Sequence, residues 1–155
     1  MKSQQDIDNL VDRLSNAPQR IARAVERLSE AEKHSPSSNG EWSASEILAH
    51  LRASDDIIGY RLYAILARDN PSLPAYDERR WAEVAGYAQA DFDLSLKTYA
   101  LRRTELVKML RQVAVDDWKR PGVHEVKGPI SLWDIATSLV EHEDEHCLQL
   151  ETMYK

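Results

Sequence analysis

Leu132-Trp133-Asp134-Ile135-Ala136-Thr137-Ser138-Leu139-Val140-Glu141-His142-Glu143-Asp144-Glu145-His146-Cys147-Leu148-Gln149-Leu150-Glu151-Thr152-Met153 carries the clearest periodic pattern of the chain. At about 3.6 residues per turn, Leu132, Ile135, Ala136, Leu139, His142, Glu143, His146, Leu150 and Met153 fall on one face. The spacing predicts a helix whose inward face is apolar at both ends and carries two imidazoles and a carboxylate in the middle. His142 and His146 stand one above the other and can close on a single ion. Burying these polar groups without partners is costly, and a metal ion is the simplest partner that satisfies all three.

Outward from this helix, the chain repeats the same kind of segment. Ser131 with Asp134 forms a capping box that opens the last helix, and Ser43 with Glu46 opens an earlier one. Trp42, just before that second cap, is placed to staple onto Ile47. The helix is expected to run to about Arg68, where Asp69-Asn70-Pro71 stops it. Its inward stripe is Ile47, His50, Leu51, Ser54, Ile57, Ile58, Leu62 and Ile65, with Arg61 near the edge. Before it, Ile7, Leu10, Val11, Leu14, Ile21, Val25 and Leu28 predict a helix from Asp6 to about Ala31, kinked or divided at Pro18. A further helix is expected over Phe92–Val113, with Leu94, Thr98, Leu101, Leu106, Met109, Leu110 and Val113 inward. Arg102, Arg103, Lys108 and Arg111 then form a basic outer face that pairs with acids of neighbouring helices.

The connections are uneven. His34–Glu41 reads as a loop. Asn70–Ala90 is a long connection with a short helix around Asp77–Val84, and its Tyr76, Trp81 and Tyr87 are placed to cover the bundle end or one pocket wall. Asp116–Ile130 is a second connection, in which His124 is expected to be exposed. No segment reads convincingly as a strand. The expected fold is all-α: a four-helix bundle with a long connection between its second and third helices, as one domain over 1–155.

Composition agrees, with 5 Gly and 6 Pro among 155 residues. A net charge of −6 argues against a nucleic-acid surface, which needs a basic excess. Neither an apolar leader after Met1 nor a run of membrane-spanning length is present, so no membrane partner is expected. Cys147 is the only cysteine, which excludes an intrachain disulfide and makes a reducing cytoplasm the expected location.

Three readings of the polar face compete on the residues alone. His142-Glu143-x-x-His146 matches the zinc-protease pattern, in which the glutamate is general base. Such proteases take a third ligand well downstream, however, and only nine residues follow His146. A second reading recruits His50, the other histidine in a helical stripe, as the third ligand. Taken singly, an inward histidine is more often an ordinary hydrogen-bonded core residue. The third reading is a binding bundle without catalysis, where an ion or ligand only braces the fold. Three core histidines with no ion remain the plainest alternative.

Here the sequence resembles a known family. Glu41-Trp42-Ser43-Ala44-Ser45-Glu46-Ile47-Leu48-Ala49-His50-Leu51 is similar to the helix-two motif of the DinB-like (DinB/YfiT) proteins. Gly128-Pro129-Ile130-Ser131-Leu132-Trp133-Asp134, followed by His142, His146 and Gln149, is similar to their helix-four motif. Leu73-Pro74-Ala75-Tyr76-Asp77-Glu78 and Asp117-Trp118 to His124 fit as well, so the resemblance covers nearly the whole chain. It implies a four-helix bundle with a three-histidine metal site, here His50, His142 and His146, and a homodimer. Cys147 departs from it, standing where many relatives carry a further histidine or a small residue.

Three neutral imidazoles leave a coordination position for water or substrate. The resemblance implies a metal-dependent enzyme whose ion activates water or a low-molecular-weight thiol to attack a small electrophile, as in S-transferases of the family. Zinc is the expected metal, with nickel or iron next. Glu143 is expected to orient a ligand or accept a proton; Ser54 and Arg61 are expected to line the pocket. Gln149 is expected to hydrogen-bond a ligand histidine. A second apolar line, Trp133, Val140, Cys147 and Leu148, is expected to meet the first or third helix or to serve a two-fold dimer.

Overall fold

The computed structural model describes residues 2–36, 38 and 41–153. In chain order the elements are α1 (Gln4–Val25), α2 (Glu30–His34), α3 (Ala44–Ala67), β1 (Ser72–Leu73), α4 (Glu78–Ala85), α5 (Phe92–Leu110), β2 (Pro121–His124), β3 (Gly128–Ser131) and α6 (Leu132–Thr152). Single 3-10 turns stand at Tyr87–Gln89 and Val115–Lys119. Of the loop expected at His34–Glu41, Ser37, Asn39 and Gly40 lie outside the described residues.

The expected capping boxes form. Ser43 N–H donates to Glu46 Oε2 at 2.9 Å while Glu46 N–H donates to Ser43 Oγ at 3.3 Å, and Ser131 and Asp134 repeat the exchange. Two more boxes, Ser3 with Asp6 and Ser29 with Glu32, open α1 and α2. Each satisfies backbone N–H groups that a helix start would leave bare. Pro18 lies inside α1 without dividing it; the break comes after Val25.

The long helices α1, α3, α5 and α6 make a four-helix bundle, in which α3 packs on α5 and α6, and α1 packs on α6 and α5. One apolar cluster gathers Leu14, Leu62, Ile65, Leu110, Leu132 and Leu139; the other gathers Ile21, Ile47, Leu48, Tyr99 and Leu150. Between them along the helices sits a polar layer of His50, Ser54, Asp55, Arg103 and Glu143, all buried. Val140 and Cys147 are used against the core that α1 lines, whereas Leu148 is exposed.

The face of α5 differs from the expected one. Leu94 and Leu101 are 57% and 69% exposed, and Arg103, expected on the basic outer face, is 1% exposed. The buried stripe is Phe92, Ser95, Tyr99, Arg103, Leu106, Val107 and Leu110. Its middle is polar, so counting apolar residues favours the wrong side. Arg102 and Arg111 do pair outward, with Asp56 and Asp12.

A small sheet was not expected either. Its order is β1-β2-β3, with Ser72 opposite Val123 in a parallel pair and Gly122 opposite Ile130 in an antiparallel one. Strands of two to four residues are too short to show a period of two. His124, expected exposed, is 8% exposed, and its Nδ1 accepts from the N–H groups of Val126 and Lys127 at 3.2 Å each. Arg120 donates to the Ile65 and Arg68 carbonyls, closing the end of α3 onto the sheet. Gly122 sits where a Cβ would lie 2.7 Å from Leu73 Cδ1 and 3.0 Å from Ile65 Cγ1. Gly122→Ala is therefore expected to cost about 1–3 kcal/mol through overpacking, read from urea denaturation midpoints. Among the described residues no helix is long and apolar enough to cross a membrane.

Candidate metal centre

His50 from α3 and His142 and His146 from α6 converge in the polar layer. One ring nitrogen from each lies within 4.8 Å of the other two. His50 Nε2 and His142 Nε2 are 2.8 Å apart. The ring centroids of His146 stand 5.0 Å from His50 and 4.6 Å from His142. The capping box at Ser43 starts α3 two turns before His50, and the one at Ser131 starts α6 three turns before His142.

Two of the outer nitrogens are held from behind. Gln149 Oε1 lies 3.0 Å from His146 Nδ1; an amide oxygen only accepts, so Nδ1 carries the proton and Nε2 keeps its lone pair. Tyr76 Oη lies 3.2 Å from His50 Nδ1, and the Trp42 ring centroid is 4.9 Å from that of His50. His142 Nδ1 is buried without a hydrogen-bond partner among the described residues. Burial, with the charges His142 and His146 would carry, pushes His50 down to about 3. Burial and His146 push His142 down to about 4, and burial lowers His146 against the hydrogen bond it donates to Gln149. All three rings are therefore neutral at pH 7, the form in which imidazole binds metals. The two Nε2 atoms approach so closely that a proton or a cation must lie between them. Donor type, charge state and convergence thus fit a divalent ion of the zinc, nickel or iron kind.

A cleft of about 580 Å³ reaches this set from outside, ending on His146 and Gln149. Trp42, Tyr87 and, from α4, Glu78 and Ala82 also line it. The aromatics of the long connection thus stand at the site, Tyr76 and Tyr87 with their hydroxyls 3.5 Å apart.

Expected residues divide. Gln149 takes its place behind a histidine. Ser54 is buried with Oγ 3.5 Å from His50 Nε2, beside the set but off the cleft wall. Arg61 is elsewhere: it donates twice to the Pro74 carbonyl, at 3.1 and 2.6 Å, and lines a small cavity with His124. Its length lets it tie down the long connection instead. Glu143 is 2% exposed; its Oε1 accepts from Tyr99 Oη at 2.6 Å and pairs with Arg103, which also binds Asp55. Burial pushes Glu143 up to about 7 against the pull of Arg103, and burial also raises Asp55. With its carboxylate engaged there, Glu143 lacks the free, cleft-facing position that a protease base requires.

Tyr99, Arg103 and Asp55 escaped the sequence reading, although Ser95, Tyr99 and Arg103 keep helical register with Phe92 and Leu106. Tyr76 lies in a loop, where no periodicity marks it.

A family model described as the DinB superfamily matches residues 13–150. The "Putative metal-dependent hydrolase YfiT" of Bacillus subtilis is 25% identical over 145 residues, covering 93% of this chain and 82% of the relative. A "Putative metal-dependent hydrolase" of Bacillus pumilus is 23% identical, covering 99% and 88%. The solved structure of YfiT superposes with a TM-score of 0.91 at 23% identity over 99% of this chain and 88% of that one. It is described as "a probable metal-dependent hydrolase with an unusual four-helix bundle topology".

Proposed function

The chain belongs to the DinB superfamily, and from its site we propose that it is a metal-dependent enzyme acting on a small electrophile. One observation carries this reading: three imidazoles from two helices converge within 4.8 Å, and one of them, His146, lines an open cleft. His50, His142 and His146 would hold the ion, zinc first among the candidates. When bound, the ion supplies Lewis acidity, which lowers the pKa of water to about 7 or keeps a thiol as thiolate at neutral pH.

The protein's own groups do the rest. Gln149 keeps the His146 proton on Nδ1, and Tyr76 fixes the His50 ring from its far side. Trp42 and Tyr87 add aromatic surface to a cleft that Glu46, Glu78 and Arg79 make polar. The names of the relatives favour water as nucleophile, while the family resemblance also admits a low-molecular-weight thiol and hence S-transfer.

Elemental analysis of tag-free protein beside His50→Ala tests the site. The expected result is about one transition-metal ion per chain in the wild type and a small fraction of that in the variant. Equal metal content in both would defeat the proposal. For the reaction, metal-loaded protein is incubated with an activated ester alone and with an electrophile plus a panel of cellular thiols. Turnover abolished by chelator and restored by zinc is expected in one arm, and none in either would count against catalysis.

A further inference from the structure

Glu78, the first residue of α4, places its carboxylate on the wall of the cleft beside the histidines. Its Oε2 is 3.9 Å from His50 Nε2. That is too long for a hydrogen bond. Neighbouring donors of a tetrahedral ion, each about 2.0–2.2 Å from it, stand roughly 3.3–3.6 Å apart, so the carboxylate lies just outside the set that His50, His142 and His146 form and has to move in to bind. The carboxylate is 56% exposed, and no hydrogen bond holds it among the described residues. It is free to close the remaining distance.

The helix that carries it is loosely held and yet wired to the site. None of the residues of α4 is buried. Elements that bury so little open at low cost. Trp81 of α4 packs edge-on against Tyr76 with centroids 5.0 Å apart, and Tyr76 Oη is the group on His50 Nδ1. A shift of α4 therefore moves both Glu78 and the partner of His50.

We propose that Glu78 is a displaceable fourth ligand to the ion held by His50, His142 and His146, delivered by α4 and withdrawn when substrate enters the cleft. This rests on the three-histidine reading above. The three imidazoles are neutral donors, so a carboxylate lowers the charge of the site while it waits, and its departure frees the position that substrate needs. The 3.9 Å approach to His50, from a residue that lines the same cleft as His146, carries the assignment.

The test uses the full-length protein, stripped of metal and titrated with cobalt(II) against a competing chelator. Wild type, Glu78→Gln, His50→Ala and Glu105→Gln are compared, the last removing an exposed carboxylate on α5. The wild type and Glu105→Gln are expected to bind one ion with the same affinity and visible spectrum. Glu78→Gln is expected to bind one ion about 10–100-fold more weakly, with a changed visible band. His50→Ala is expected to lose tight binding. If Glu78→Gln matches the wild type in affinity and band, the fourth ligand is refuted while the histidine site stands. If the wild type binds no better than His50→Ala, both readings fall.

Discussion

Arg103→Met is expected to destabilise the protein by about 3–5 kcal/mol, because it leaves two buried carboxylates facing one another without their cation. Asp55 and Glu143 both pair with Arg103, and all three are nearly inaccessible. Methionine matches much of the length and apolar bulk of arginine, so the loss reports charge rather than a cavity. The deficit is expected to grow with pH. In the unfolded chain a glutamate ionises near 4.5, whereas burial already holds Glu143 at about 7 with the guanidinium present. Without Arg103 the folded carboxyl binds its proton more tightly still, so the unfolded state gains relative stability as pH rises above 4.5. Urea denaturation of both proteins at pH 5 and pH 8 measures this. A loss below about 1 kcal/mol at both would mean that the layer does not depend on the guanidinium. Adding Asp55→Asn and Glu143→Gln should recover part of the stability, since it removes the charges that were stranded.

Trp118→Ala is expected to cost about 3–5 kcal/mol, the range for emptying a buried aromatic site. Trp118 is 1% exposed, joins the cluster of Leu62, Ile65 and Leu132, and meets Trp133 edge-on at 5.9 Å. It stands in the 3-10 turn at Val115–Lys119, three residues before β2, and that turn packs against α6. Thermal and urea unfolding give the loss directly. A stability change under about 1 kcal/mol would show that the sheet end collapses around the void.

The two predictions fall on different sides of what the sequence makes readable. The helices were legible because long amphipathic stripes and serine caps leave repeated marks: Ser43 with Glu46 and Ser131 with Asp134 set both starts that position the site. The histidine convergence was legible for the same reason, since His50, His142 and His146 each lie in register with aliphatic neighbours. Arg103 was not, because a buried cation on a helix looks like surface until its two carboxylates are in view on other helices. The sheet was not, because β1, β2 and β3 are too short to carry a pattern, and β2 and β3 hold Pro and Gly residues that read as loop. Glu78 was beyond reach for a third reason: its position depends on how the long connection returns to the bundle, a tertiary fact with no local signature, whereas the aromatics of that connection were expected near a pocket wall.

The contact between His50 and His142 spans 92 positions of chain. An ion gripped there would act as a late cross-link. During synthesis it could find its full ligand set only after α6 had left the ribosome, so metal capture would follow assembly of the rods rather than guide it. Once in place it would tether an early helix to the final one, and fraying of α6 would require the ion to be released first.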